Sequence, residues 1–395
     1  MIEGTIHPDF WPVAKTLEQQ LHRAPMAGGA AVTVYHRGQR VVDIRGGNRD
    51  DTGTAWTSKT MSVSFSTTKG VMSTILHRLV DQGLFDYDDQ VVKLWPEFGQ
   101  HGKDSITIRH LLCHQAGLYD IRHMVDSADR MLDWEYMTAA LAAAVPKHRP
   151  GAMSAYHGLT YGWLIGEVVQ RATNRTVSEL AQSEIADPLG LDGLYIGVPA
   201  DQIKRVAKLV LPTERLARIQ RLEGPMRTLQ KALSFVRFPI DAGRMAAALA
   251  PPGIEKFDWS APATLRAVIP AANGVFTARS LAKMYAVLAA GGELDGVRLL
   301  SPDTLRRATE IQSRKIDRVV PFPMHWRLGY HRAATTRGNP ARGFGHYGFG
   351  GSGAWADPDQ QLAVAMILNS GLGTPFGDIR TAQIGGAALL CARRR

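Results

Sequence analysis

Two short runs near the start of the chain, Ala30 to Tyr35 and Arg40 to Ile44, are rich in β-branched and apolar residues and are joined by His36-Arg37-Gly38-Gln39. That pattern predicts a β-hairpin. Near the other end, Phe344 to Trp355 and Gln361 to Leu368 are again strand-like, with the turn signal Ala356-Asp357-Pro358-Asp359-Gln360 between them, and predict a second hairpin. The middle follows a different period. From Gly70 to Gln82 apolar residues fall at 71, 72, 75, 76, 79 and 80, one face of a helix, and Gly83 follows as a stop signal. The simplest assembly is an α/β (α+β) fold. It pairs the two hairpins in one antiparallel sheet (15–65 and 325–375), flanks them with helices, and lays a mainly helical region (70–320) across them, with a cleft between.

At 395 residues, with 45% hydrophobic and 21% charged positions, the chain has a globular balance and fits one large folded unit spanning 1–395. The formal charge of +10 is spread along the chain without a nucleic-acid motif, so it reads as a solubility feature and no nucleic-acid partner is expected. One segment stands apart. Residues 201–244 carry ten Lys or Arg against Asp201, Glu214, Glu223 and Asp241, and their apolar residues recur at near-helical spacing, broken near Pro212 and Gly224-Pro225. This basic insertion reads as two amphipathic helices forming a lid, a partner face or a weak lipid-surface contact. Met1 to His22 lacks an apolar run long enough for a signal peptide or a membrane span, which predicts a cytoplasmic protein. Cys113 and Cys391, the two cysteines, are far apart and read as reduced; Cys113, in Leu111-Leu112-Cys113, reads as buried and not as a nucleophile.

The chemistry begins with Phe65-Ser66-Thr67-Thr68-Lys69-Gly70, a Ser-x-x-Lys immediately before the apolar helix. Residues i and i+3 share a helix face, so the Lys69 amine can approach the Ser66 hydroxyl, and desolvation of the amine would favour its neutral, basic form. The motif alone is weak: 17 serines and 12 lysines make about 0.5 chance matches. A second one exists at Ser280-Leu281-Ala282-Lys283, where Ser280 reads as an N-cap or first-turn serine. Ser66 is favoured by two elements downstream. Tyr156, in the loop Pro150 to Gly158 before the apolar run Leu159 to Val169, is placed to share a proton, although buried tyrosines are common. Gly345-His346-Tyr347-Gly348-Phe349-Gly350-Gly351-Ser352 allows a strand backbone to approach a ligand closely, although such glycines also mark plain bulges.

Together the three elements resemble the penicillin-recognising serine hydrolases: class C β-lactamases, serine-type D-Ala-D-Ala carboxypeptidases and, above all, family VIII carboxylesterases. The resemblance covers roughly residues 15–375 and extends to Leu111 through Leu118, Tyr161 through Glu167 and Asp187-Pro188-Leu189-Gly190-Leu191. It implies a β-lactamase/transpeptidase-like fold, Ser66 as nucleophile, Lys69 and Tyr156 as base and proton relay, and an oxyanion hole from the backbone N–H groups of Ser66 and Phe349. His346-Tyr347-Gly348 would stand where lactamases carry Lys-Thr-Gly, which puts His346, Gly348 and His157 among the substrate-contacting residues. Two departures matter. The lactamase Tyr-x-Asn is Tyr156-His157-Gly158 here, and the Lys of the third motif is His346. Both remove polar groups a β-lactam would use, while the nucleophile and oxyanion hole depend on neither, so carboxylic esters with short acyl chains are the expected substrates.

His110 and His114, four apart, have a spacing that can present two metal ligands, but the Glu of His-Glu-x-x-His and a third ligand are missing, and neither metal nor cofactor is expected. A Ser-His-Asp mechanism has no Gly-x-Ser-x-Gly to carry it. Acyl transfer, D-amino-acid peptide hydrolysis and β-lactam hydrolysis share the acyl-serine intermediate and stay open, as does a catalytically silent interaction protein that keeps the fold. The natural acyl group and alcohol, and the oligomeric state, are not legible in the chain.

Overall fold

The molecule is built around a seven-stranded antiparallel sheet whose two halves come from opposite ends of the chain. The structure, a computed structural model, describes residues 2–23, 28–210, 241–371 and 378–395. Its strands are β1 (Ile2–Ile6), β2 (Gly29–His36), β3 (Gln39–Gly47), β4 (His331–Arg332), β5 (Phe344–Tyr347), β6 (Gly353–Asp357) and β7 (Leu362–Leu368), in the spatial order β1-β3-β2-β7-β6-β5-β4. The first hairpin turns through Arg37 and Gly38, both at positive φ, the combination a tight primed turn requires. β2 pairs with β7 from Ala30↔Leu368 to His36↔Leu362, so the two terminal hairpins meet at the centre of the sheet, as expected.

Alternation along β7 divides the core. Leu362, Val364, Met366 and Leu368 face helices α1 (Trp11–Arg23) and a C-terminal helix, Ile379–Arg394. Ala363, Ala365 and Ile367 face the helical region. Alanines there let a helix at Ala278–Ala289 lie close on the sheet. Two expectations need correction. Phe344 to Trp355 is two antiparallel strands, because Gly350 and Gly351 at positive φ turn the chain back between Tyr347 and Gly353. β1, absent from the expected set, adds an edge strand on β3.

The helix expected at Gly70–Gln82 is α2 (Thr68–Asp81), ended by Gly83 at φ +77°. It is no amphipathic surface helix: all its side chains except those of Arg78 and Asp81 are buried. Its polar residues are satisfied internally. Ser73 and Thr74 donate to the carbonyls of Lys69 and Gly70, and His77 Nε2 bonds the Leu328 carbonyl while Nδ1 accepts from the Tyr87 hydroxyl. The helices expected within 201–244 fall mostly on 211–240, outside the described residues; at the edges of that segment Ala200–Arg205 forms a 3-10 helix and Ala242–Leu249 an α-helix. Among the described residues no helix is long and apolar enough to cross a membrane.

Candidate active site

The chain reaches the site through the short strand Ser62–Val63, which pairs with Val275–Phe276, and then turns into a single 3-10 turn, Phe65–Thr67, that runs into α2. Phe65 sits at φ +44°, a left-handed conformation uncommon for an aromatic residue, and its neighbours hold it there. Ser64 N–H donates to Gly274 O, Thr68 Oγ1 donates to Phe65 O, and Thr67 Oγ1 donates to Ser352 O at the far side of the β5–β6 turn. This pinning lifts Ser66 to a half-buried position at the start of the helix while Lys69, one turn on, is fully buried.

Three side chains converge. Lys69 Nζ lies 2.9 Å from Ser66 Oγ, and the Tyr156 hydroxyl lies 2.8 Å from the same oxygen. Lys69 Nζ also donates to the carbonyls of Gly158 (2.7 Å) and Ala271 (3.0 Å). These three partners are all neutral oxygens, and burial drives the pKa of the amine well below its ordinary value. A neutral amine fits this set of contacts: its two protons go to the two carbonyls, and its lone pair is left to accept the Ser66 proton. Ser66 Oγ then accepts from Tyr156, whose pKa burial pushes up so that it remains a phenol donor.

The walls come from separate elements. Gly348, just past β5, approaches the Ser66 turn so closely that a Cβ on it would lie 2.3 Å from Ser64 O, which only glycine permits. Phe349 follows, its ring edge-on to Phe65 at 5.5 Å, and Phe65 in turn meets Trp259 at 5.3 Å, giving an aromatic rim beside Ser66. Gly158 faces the helix Ala242–Leu249: a Cβ there would lie 2.3 Å from Leu249 Cδ2 and 2.7 Å from Ala248 O. His346 is buried in β5, stacks on Tyr156 at 6.3 Å and bonds Tyr347 O through Nδ1; burial holds its pKa well below the ordinary range, so the ring is neutral. Tyr156 rests against Trp326, rings 5.7 Å apart and 12° from parallel.

Ser66, Lys69, Tyr156, His346, Gly348 and Phe349 therefore occur together. His157 does not join them. It is fully buried, accepts the Leu118 N–H on Nε2, and is held neutral with a pKa of about 3. Ser280 lies in the first turn of its helix, bonded to Thr277 and to Asp192 O, and Lys283 donates to Leu189 O, so the second Ser-x-x-Lys is a capping arrangement. His110 and His114 do not share a helix face. Helix α3 (Ile108–Leu112) ends between them, His110 Nδ1 accepts the Thr107 N–H in a capping box, and His114 takes φ +57° with Nδ1 accepting from His157 N–H. Cys113 is buried and its thiol is pushed up to about 12. The carbonyls of Gly158 and Ala271 and the residues Trp326 and Asp317 escaped sequence reasoning. Carbonyl ligands leave no side-chain signal, and Asp317 sits in an otherwise ordinary Arg-Lys-Ile-Asp-Arg run.

Comparison with known proteins finds relatives over most of the chain. The family model described as Beta-lactamase matches residues 14–389. The esterase/beta-lactamase LipL of Mycobacterium tuberculosis is 40% identical over 345 residues, covering 87% of this chain and 77% of LipL. A penicillin-binding protein homolog from Caulobacter crescentus superposes with a TM-score of 0.86 at 34% identity over 99% of this chain and 100% of its own. A family VIII carboxylesterase structure superposes with the same TM-score at 31% identity and the same coverage.

Proposed function

The chain belongs to the beta-lactamase family of serine hydrolases, and on that premise we propose that it is a carboxylesterase acting on uncharged esters with short acyl groups through an acyl-enzyme on Ser66. The observation that carries the reading is the contact of one half-buried hydroxyl with a desolvated amine at 2.9 Å and a phenol at 2.8 Å. As Ser66 Oγ bonds to the ester carbonyl carbon, its proton passes to Lys69 and the carbonyl π pair moves onto oxygen, which the backbone N–H groups of Ser66 and Phe349 stabilise. Collapse breaks the bond to the alkoxide, and the proton returns from Lys69 through Tyr156 to that leaving group. Water then repeats the sequence on the acyl-enzyme and restores Ser66.

Substrate class follows from what the walls offer. Position 158 has neither an amide side chain nor space for one against Leu249 and Ala248, and His346 is neutral, so an anionic β-lactam gains no amide contact and no counter-charge. An uncharged ester needs neither and meets the aromatic rim of Phe65, Trp259 and Phe349. The missing neutral amide contact is worth about 0.5–1.5 kcal/mol and the missing charged one about 1.5–3 kcal/mol, so kcat/KM for a chromogenic cephalosporin should fall roughly 30- to 2,000-fold below that for a short-chain aryl ester. Equal or higher values for the cephalosporin would overturn the esterase reading. Ser66→Ala should abolish turnover and covalent labelling by a fluorophosphonate, and Ser280→Ala should leave both intact.

A further inference from the structure

Four N–H groups converge on the fully buried carboxylate of Asp317. Oδ1 accepts from the backbone of Tyr156 (3.1 Å), Val319 (2.8 Å) and Val320 (2.9 Å), and Oδ2 accepts from the indole Nε1 of Trp326 (3.0 Å). Trp326 is the residue whose indole lies nearly parallel beneath the phenol of Tyr156, and His114 packs against both rings, 4.3 Å from Trp326 and 4.9 Å from Tyr156. One carboxylate thus holds the main chain of Tyr156 and also the surface on which its ring rests. The next residue extends the tie, because Arg318 N–H donates to Ser154 O two residues before Tyr156. A buried carboxylate is costly to desolvate, and its acid is pushed up to about 6; three or more hydrogen bonds to the charged form offset that cost only while the loop 317–326 keeps its shape.

We propose that Asp317 is a positioning residue for Tyr156, fixing its backbone directly and its ring through Trp326 so that the hydroxyl stays on Ser66. The inference rests on the esterase reading above. Asp317→Asn keeps the size but sets an amide either against the indole N–H or against the three backbone N–H groups, so one donor must face another. The test compares second-order rates of Ser66 labelling by a fluorophosphonate, together with kcat and KM for a short-chain aryl ester. Asp317→Asn is measured in the Tyr156 protein and in Tyr156→Phe. With Tyr156 present, labelling and kcat should fall at least about ten-fold with KM changed less than about two-fold; in the Tyr156→Phe background the same substitution should add less than about two-fold, because the group it positions is gone. Trp326→Phe, which removes one donor of the four and keeps an aromatic face, should give a smaller loss that likewise vanishes in Tyr156→Phe, and it carries the test if Asp317→Asn does not fold. Equal slowing in both backgrounds, or parental rates in a folded variant, would overturn the inference. A parent protein that Ser66-directed probe does not label would instead overturn the esterase reading.

Discussion

The base role proposed for Lys69 requires a neutral amine, and burial away from water, with no carboxylate among its hydrogen-bond partners, lowers its pKa in that direction. Lys69→Ala should therefore leave less than about a tenth of the parental kcat, a loss of more than roughly 1.4 kcal/mol of transition-state stabilisation. The same depression has a thermodynamic signature. Between the lowered folded pKa and the ordinary unfolded one, the unfolded chain binds the extra proton, so this group's contribution to stability is lowest at low pH and rises as pH climbs towards 10.5. Relative to Lys69→Met, the parent should gain stability with pH at up to about 1.4 kcal/mol per unit over that window, measured by denaturant unfolding at several pH values. A difference that stays flat with pH would mean that Lys69 is charged in the folded state. That Ser66, Lys69 and Tyr156 come together was legible because few side-chain types suit the proposed chemistry and their order along the chain is recognisable. Ala271 and Gly158, which hold the amine through main-chain oxygens, were not, since any residue type supplies a carbonyl.

Between elements, the decisive contact is that of the Ser66 turn with the end of β5, where Gly348 faces Ser64 O. Gly348→Ala must separate the two by moving backbone, and with it the Phe349 N–H proposed for the oxyanion. The expected result is a loss of about 10²- to 10³-fold in kcat, the usual worth of one such donor, with a small change in thermal midpoint; parental kcat in a soluble Gly348→Ala protein would place the oxyanion elsewhere. The two hairpins were readable from their turn residues and β-branched runs, and α2 from its period. The break between β5 and β6 was hidden because glycines are scattered along all of Phe344 to Trp355, and the positive φ of Gly350 and Gly351 is what marks the reversal. The period of α2 said nothing of its other face, where Ser73, Thr74 and His77 are buried and spend their hydrogen bonds on carbonyls and tyrosines. Periodicity reports which residues are apolar, and a helix at the centre of a large molecule is covered on its polar side as well.

At the scale of the whole molecule, the C-terminal helix Ile379–Arg394 closes one face of the sheet, burying Ile384 and Leu389 completely against α1, β2 and β7. Those two side chains alone are worth about 3–6 kcal/mol, a large part of the 5–15 kcal/mol that holds a typical protein together. Deleting residues 379–395 should abolish soluble expression, and a soluble truncated protein with native circular dichroism would show that the face can be left open. The pairing of β2 with β7 also sets a timetable for biosynthesis. His36 meets Leu362 and Ala30 meets Leu368, so the first hairpin must wait for nearly the whole chain before its inner edge is covered. At translation speeds of roughly 5–20 residues per second that wait lasts tens of seconds, during which β2 presents an open, apolar edge to every other nascent chain nearby. The strand that completes the sheet is thus among the last made, and the yield of folded protein in the cell should depend on whatever shields residues 29–36 until it arrives.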